Sequence, residues 1–135
     1  MIRNISNYIF ITLIFVASIF ASTGSKNHSA EILSRGRYIP IAISDDFLVT
    51  AKTFSSLTSR TVDIYELYSG IGSMEKTAEL TSPNPLSGDD FGFSMALHNN
   101  YLLIGAPGSD DGNGVVYLYR KDYTGEWVVV KTFEN

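Results

Sequence analysis

Apolar and polar residues alternate along the chain from residue 38 onward, with the period of two that is typical of β-strands. Ile39, Ile41 and Ile43 alternate with smaller or polar residues, and an Asp45-Asp46 pair separates them from a second apolar run. This spacing predicts a tight β-hairpin. No segment after residue 21 shows the 3.6-residue period of an amphipathic helix. The alternation predicts strands at residues 38–44, 47–51, 61–67, 75–80, 94–97, 101–105, 115–120 and 126–133.

The second half of the chain repeats the first half at an offset that takes residue 42 to residue 96 and that grows by one residue in the last segment, where Gly70 is matched by Gly125. Residues 42–49 are matched by residues 96–103, and the next alternating run, 62–65, is matched by 116–119. Two residues related by this offset are called repeat counterparts below. A period of about 50 residues that is built from short strands indicates a propeller or another array of sheets.

Two prolines at residues 83 and 85 separate the two copies, because proline cannot join a central strand. They mark the connection between a first unit at residues 37–81 and a second unit at 82–135.

The N-terminus has the layout of a secretory signal peptide. Arg3 is followed by an uncharged apolar run at residues 8–21 and then by small residues. We expect residues 1–21 to be the signal and residues 22–36 to be a flexible lead, with cleavage after Ala21 or Gly24. The apolar run is shorter than the roughly 20 residues that span a bilayer. The alternative is an uncleaved signal anchor, which would hold the protein at the membrane.

Composition narrows the classes of partner. The formal net charge is −4, and loss of residues 1–21 removes only Arg3 from the charged residues. An acidic chain of this kind argues against nucleic acid and anionic lipid as partners, because both need clustered Lys and Arg. The chain has no cysteine, so it cannot form a disulfide even if it is exported. Asn27 begins an Asn-His-Ser sequence, which is a candidate for N-glycosylation.

The second unit carries the motif that identifies a family. Phe91-Gly92 is followed by an apolar run and then by Gly105-Ala106-Pro107. This arrangement resembles the FG-GAP repeat, which builds the β-propeller head of integrin α subunits and occurs in many exported proteins. The resemblance covers residues 88–133. The first unit is a degenerate copy, with Arg37-Tyr38 in place of Phe-Gly and Ala51-Lys52-Thr53 in place of Gly-Ala-Pro.

The five motif residues are expected to be framework. Phe91 would anchor the innermost strand, and Gly92 would permit close approach of the backbone at a crowded centre. Gly105 and Ala106 would leave room for the neighbouring sheet, and Pro107 would end the strand. The resemblance therefore implies an all-β fold of two four-stranded antiparallel blades, an incomplete β-propeller that follows an N-terminal signal segment.

We predict no cofactor. Many family members bind calcium in an acidic loop between the first two strands of a blade, but His98-Asn99-Asn100 and Asp45-Asp46 occupy those places here. Neither supplies the six or more oxygen ligands that calcium prefers. A second acidic loop offers Asp110, Asp111 and Asn113 as weak metal candidates, although two carboxylates make a poor site.

No catalytic constellation is present in the sequence. The histidines lie in the lead and in a turn, and no serine sits in a Gly-x-Ser-x-Gly elbow. Asp89 and Asp90 are adjacent and would point to opposite sides of a strand. We therefore predict that the protein is not an enzyme. The aromatic residues that could line a sugar-binding or protein-binding surface are Tyr65, Tyr68, Tyr101, Tyr117, Tyr119 and Trp127.

Together these patterns predict a secreted or cell-surface, non-enzymatic module that binds extracellular protein or glycan, for example in cell adhesion. The alternative is a truncated remnant, or an accessory part of a larger exported propeller protein or hydrolase, with no activity of its own. A propeller usually has about four to eight blades. Further blades would have to come from self-association or from a longer chain, unless the two sheets simply stack on each other.

Overall fold

The computed structural model describes residues 27–34, 37–52, 60–68 and 72–134. These residues form an all-β fold of two antiparallel sheets, each with its strands in sequence order, and within them there is no α-helix. The first sheet contains β1 (Asn27–Ser34), β2 (Arg37–Ser44), β3 (Phe47–Lys52), β4 (Thr61–Tyr68) and β5 (Ser73–Thr81). The second sheet contains β6 (Ser94–His98), β7 (Tyr101–Ala106), β8 (Val115–Lys121) and β9 (Trp127–Phe133).

The first sheet has five strands, where the sequence predicted four. The extra strand, β1, lies in the segment that was expected to be a flexible lead, and it pairs with β2 from Asn27↔Ser44 to Ser34↔Arg37. An edge strand is joined through backbone N–H and C=O groups, which every residue except proline supplies. The polar composition of the segment therefore gave no sign of the pairing. The predicted signal segment, residues 1–21, lies outside the described residues.

The first three repeated strands of the two sheets, β2–β4 and β6–β8, share one register. The β3–β4 ladder pairs Phe47 with Glu66, and the β7–β8 ladder pairs their repeat counterparts, Tyr101 and Arg120. A β-bulge interrupts β4–β5 between Ile64 and Tyr65, and a second bulge interrupts β8–β9 at the corresponding position, between Leu118 and Tyr119. The internal repeat of the sequence is therefore a repeat of strand pairing as well.

The core lies between the sheets. Successive strand residues point to opposite faces, so each sheet has a contact face, which packs on the other sheet, and an outer face. The contact face of the first sheet comprises Ala42, Phe47, Val49, Ala51, Val62, Ile64 and Leu80. The contact face of the second sheet comprises Met95, Leu97, Leu102, Ile104, Ala106, Val115, Tyr117, Tyr119 and Trp127.

Aromatic contacts join the two contact faces at one end of the interface. The rings of Phe47 and Trp127 meet edge to face, with 5.5 Å between their centroids. Each large apolar side chain that is fully buried in this layer contributes about 1.5–3 kcal/mol to the stability of the fold. The interface between the sheets is therefore the main source of stability in a chain that has no disulfide.

The outer face of the first sheet is mixed. Ile41, Ile43 and Leu48 form a small separate apolar cluster there, with Tyr65 and Leu67 packed against it. Beside this cluster lies a group of charged side chains, formed by Lys52, Asp63, Lys76 and Glu79. In the part of the chain that the structure describes, no helix is long and apolar enough to cross a membrane.

Candidate functional site

An open cleft of about 550 Å³ lies at one end of the interface between the sheets. It is formed where the β2–β3 turn and the end of β4 face the β6–β7 and β8–β9 turns. Its lining residues are Asp46, Phe47, Glu66, Leu67, Tyr68, Asn100, Lys121, Asp122, Tyr123, Thr124 and Gly125. The volume is within the range of small-molecule binding sites.

The repeat itself positions the two walls of the cleft. In the first sheet the Leu67 N–H donates to the Asp46 carbonyl at 2.8 Å, which ties the end of β4 to the β2–β3 turn. In the second sheet the Lys121 N–H donates to the Asn100 carbonyl at 2.9 Å, which ties the end of β8 to the β6–β7 turn. The donors of these two bonds are repeat counterparts, and so are the acceptors. The same backbone pattern therefore builds both walls.

Lys121 joins the two walls at the floor of the cleft. Its Nζ lies 3.2 Å from Glu66 Oε1 of the first sheet and 4.7 Å from the centre of the Phe47 ring. Both partners of the ion pair are partly shielded from solvent, with side-chain exposures of 18% for Lys121 and 32% for Glu66. A cation that is held by a carboxylate and a ring face at once fixes the distance between the sheets at this end.

The β8–β9 turn forms a rigid rim. Asp122 Oδ1 accepts hydrogen bonds from the Thr124 N–H at 2.8 Å, the Thr124 hydroxyl at 2.6 Å and the Glu126 N–H at 3.1 Å. The Thr124 hydroxyl, together with these backbone donors, lowers the pKa of the Asp122 carboxyl. Gly125 completes the turn with a φ of +93°. At the tip of this turn the Tyr123 ring is 100% exposed.

The chemical character of the cleft is polar and acceptor-rich. Asp46, Glu66 and Asp122 contribute carboxylates, and Lys121 is the cation that offsets them. Tyr68, at 41% exposure, and Tyr123 place aromatic rings on opposite walls. Such a surface can accept hydrogen bonds from hydroxyl or ammonium groups and can stack an apolar ring face between them.

The motif residues of the second unit lie away from the cleft, in contact with the first sheet and with the strand ends. Phe91 is fully buried against Tyr117 and Tyr119, with ring centroids 5.8 Å and 6.4 Å away. Its N–H donates to Asp89 Oδ1 at 3.2 Å. Gly92 has a φ of +82°, and a Cβ there would lie 2.8 Å from Val62 Cγ2 of the first sheet.

The Gly105-Ala106-Pro107 segment ends β7. A Cβ on Gly105 would lie 2.4 Å from Ser94 Oγ on the neighbouring strand, and the Gly105 carbonyl accepts a hydrogen bond from the Gly92 N–H at 3.1 Å. Ala106 is fully buried between the sheets, whereas Pro107 is exposed just after the strand. The Phe-Gly and Gly-Ala-Pro halves of the motif therefore meet through the backbone of Gly92 and Gly105.

The acidic loop that offered weak metal candidates is an exposed 3₁₀ turn at Asp110–Gly112. Asn113 Nδ2 donates to Asp110 Oδ2 at 3.2 Å, and both Asp110 and Asp111 have positive φ values. Among the described residues no group of three or more His, Cys, Asp or Glu side chains is placed to hold a metal ion. The glycosylation candidate Asn27 begins β1.

The predicted aromatic surface is divided by the fold. Tyr117, Tyr119 and Trp127 are buried between the sheets, and Tyr101 is exposed on the outer face of the second sheet. Burial raises the pKa of the Tyr119 hydroxyl, which donates to the Thr81 carbonyl at 3.3 Å. Of the aromatic residues singled out in the sequence, only Tyr68 lines the cleft.

Sequence reasoning missed most of the cleft. The strand pattern does not single out Tyr123, Asp122 or Lys121, because they lie at the end of a strand and in the turn that follows it. The repeat offset is the signal that could have identified these cleft residues. It places the ends of β4 and β8 at equivalent positions, and it does the same for the turns that precede β3 and β7.

The comparison with protein families agrees with this architecture. Residues 74–119 match the family model of the FG-GAP repeat. The matched segment runs from β5 of the first sheet, through the connection that contains Phe91 and Gly92, to β8 of the second sheet. No curated protein matches the chain. FG-GAP repeats are non-catalytic repeats that occur in extracellular proteins. Residues 74–119 are therefore similar to an FG-GAP repeat, and the described residues of the chain form two antiparallel sheets.

Proposed function

We propose that this protein is an exported, non-enzymatic binding module that takes a glycan in the cleft between its two sheets. The observation that supports the proposal most directly is the pair of exposed tyrosines on opposite walls of an acceptor-rich cleft. Export is supported by the N-terminal sequence, with Arg3 before the apolar run of residues 8–21. Attachment to extracellular glycans would give the module a role in adhesion.

The chemistry of the cleft favours a glycan over other ligands. The faces of tyrosine rings pack against the apolar C–H face of a sugar, and carboxylates accept hydrogen bonds from its hydroxyls. The hydrogen bonds that lower the pKa of Asp122 keep its carboxylate ionised and hold the rim in one conformation. A rim that is ordered before binding costs less entropy when the ligand arrives. A basic peptide is the alternative ligand, because Asp46, Glu66 and Asp122 outnumber Lys121.

A glycan array followed by calorimetric titration of the mature protein tests the proposal. We expect Tyr123→Ala and Tyr68→Ala each to weaken binding of the glycan that the array selects by up to about tenfold, because a stacked ring contributes about 0.5–1.5 kcal/mol. Tyr101→Ala is the matched control, since Tyr101 is similarly exposed but lies on the outer face of the second sheet. If the array gives no signal and lysine-rich peptides bind instead, the ligand is a protein rather than a glycan.

Export has its own test. N-terminal sequencing of protein recovered from the medium of expressing cells should find a new terminus after Ala21 or Gly24. Protein that stays in the membrane fraction with Met1 intact would point to an uncleaved anchor.

A second function, as an accessory part of a larger exported propeller protein or hydrolase, is favoured by a different observation. The outer face of the second sheet exposes Leu103 and Val116, each at 38%, together with Tyr101 and Phe133. Exposed apolar side chains that lie side by side on one sheet mark an interaction surface.

A further inference from the structure

The cleft carries more negative charge than the fold itself neutralises. Lys121, the cation among the described lining residues, is already engaged, with its Nζ 3.2 Å from Glu66 Oε1 and 4.7 Å from the centre of the Phe47 ring. The carboxylates of Asp46 and Asp122 form no ion pair with any residue in the part of the chain that the structure describes. These two negative charges are therefore available to a ligand.

The two carboxylates lie on opposite walls of the cleft, and each is attached to a backbone that is fixed in place. Asp46 is in the β2–β3 turn, which the hydrogen bond from the Leu67 N–H to the Asp46 carbonyl ties to β4. Its side chain is exposed. Asp122 is in the β8–β9 turn, where its Oδ1 accepts the hydrogen bonds from Thr124 and Glu126. A ligand can therefore reach both oxygens of the first carboxylate and Oδ2 of the second.

The repeat shows that the fold does not need the negative charge of Asp46. Its repeat counterpart is Asn100, which lies in the equivalent turn and also lines the cleft. The Asn100 carbonyl accepts the same type of backbone hydrogen bond, from the Lys121 N–H at 2.9 Å. An uncharged amide side chain therefore serves the same turn equally well. The charge at residue 46 is an added property of the cleft rather than a requirement of its wall.

Charge complementarity favours a cationic ligand. A cleft that is lined by charges of one sign concentrates ligands of the opposite sign. The rings of Tyr68 and Tyr123 can pack against the C–H face of a sugar, and their faces also attract an ammonium group. A neutral sugar would leave the two carboxylates without a counter-charge, and an acidic sugar would be repelled by them.

We propose that the glycan bound in this cleft is built of amino sugars whose amines are free and protonated. In this complex Asp46 accepts hydrogen bonds from the sugar ammonium, Asp122 Oδ2 accepts from a sugar hydroxyl, and the tyrosine rings pack on the sugar rings. The inference rests on the proposed function, because it names the class of glycan that the same cleft takes. A lysine-rich peptide shares the ammonium groups but has no rigid ring to stack on Tyr68 and Tyr123.

Two matched oligosaccharides test the inference by calorimetric titration. They are a tetramer of β-1,4-linked glucosamine with free amines and the same tetramer with every amine acetylated. We expect the free-amine tetramer to bind about tenfold more tightly, because its hydrogen bonds to carboxylates are charge-assisted. Asp46→Asn should reduce this preference to about twofold or less. Its affinity for the acetylated tetramer should stay unchanged, which also shows that the variant is folded.

Asp111→Asn is the control for net charge. It removes one carboxylate from an exposed loop that does not line the cleft, so the preference for free amines should change by less than about twofold. Equal losses of preference in Asp46→Asn and Asp111→Asn would overturn the inference, since the amines would then be attracted by the acidic chain as a whole.

The remaining outcomes separate this inference from the proposed function. Equal affinities of the parent protein for the two tetramers, with both weakened by Tyr123→Ala, would overturn the amino-sugar assignment and leave glycan binding in the cleft intact. If neither tetramer binds, a signal from another glycan on the array overturns the amino-sugar assignment alone. A silent array overturns the proposed glycan function together with it.

Discussion

The first and second sheets are built alike and are used differently. β2–β5 of the first sheet and β6–β9 of the second share strand order and the position of the bulge. The contact face of the second sheet is apolar at its centre, whereas the equivalent outer face of the first sheet has Thr50, Lys52 and Asp63 there. Conversely, the second sheet exposes the apolar face that the first sheet buries.

The difference shows that burial in this fold is decided by neighbours rather than by strand pattern. A repeat unit cannot cover its own apolar faces, and a terminal unit needs a polar outer face to stay soluble. The first sheet has such a face, with Lys52 and Lys76 each paired to Asp63 and Glu79. The second sheet exposes Leu103 and Val116 on its outer face instead.

The largest expected effect comes from placing the same charge on equivalent valines. Val62 is fully buried on the contact face of the first sheet, and Val116, its counterpart, is 38% exposed on the outer face of the second. Val62→Lys should abolish the cooperative unfolding transition. Burying an unpaired ammonium costs about 5 kcal/mol or more, which is as large as the whole free energy of unfolding of a small domain. Val116→Lys should change the free energy of unfolding by less than about 0.5 kcal/mol.

Urea titration followed by tryptophan fluorescence measures both valine variants, since Trp127 lies in the contact layer. Equal destabilisation by the two substitutions would show that the outer face of the second sheet is covered within the monomer. The distinction between the two faces would then be lost.

A smaller effect is expected at the glycine of the Phe-Gly pair. Gly92→Ala should lower the free energy of unfolding by about 2–4 kcal/mol, because the new methyl would meet Val62 at 2.8 Å and because a φ of +82° disfavours a side chain. Gly88→Ala is the matched control. Gly88 has a φ of +85° but no atom within 4 Å of a new Cβ, so only the backbone cost of about 1–2 kcal/mol remains.

The difference between the two glycine variants, measured by denaturant unfolding, isolates the close approach between the sheets. Identical values would mean that the second sheet can move away from the first at no cost. The first unit has Tyr38 at the equivalent position.

The smallest effect concerns the charged outer face of the first sheet. Hydrogen bonds from Lys52 and Lys76 lower the pKa of Glu79 to about 2 from an ordinary value of 4.5. Since the folded-state pKa is the lower one, the stabilisation is complete above about pH 4.5 and is lost as the pH falls toward 2. Glu79→Gln should therefore reduce the fall in melting temperature over this interval.

Glu75→Gln, on the same strand but outside the charged cluster, is the control for the pH experiment. It should leave the acid dependence of the melting temperature close to that of the parent protein. An unchanged dependence in Glu79→Gln would assign the acid sensitivity to other carboxylates, with Asp122 the next to test because its pKa is also lowered.

The strands and their grouping were predictable, while the edge and the cleft were not. Alternation at Ile39, Ile41 and Ile43 located β2, and Pro83 and Pro85 located the break between the sheets. β1 was not predictable, because backbone pairing leaves no pattern of apolar residues in a polar segment. The cleft was not predictable, because Glu66 and Lys121 are far apart in the sequence and meet only across the packed sheets.

The amino-acid order of this protein determines its periodicity, its repeat and its FG-GAP motif, because these depend on local spacing and on the few residue types that tolerate crowded backbone. Only the folded arrangement decides which of two similar apolar faces is covered. The alternation of a strand gives it two sides, and nothing local distinguishes them. Packing one sheet on the other buries Val62, leaves Val116 in solvent and brings Glu66 to Lys121.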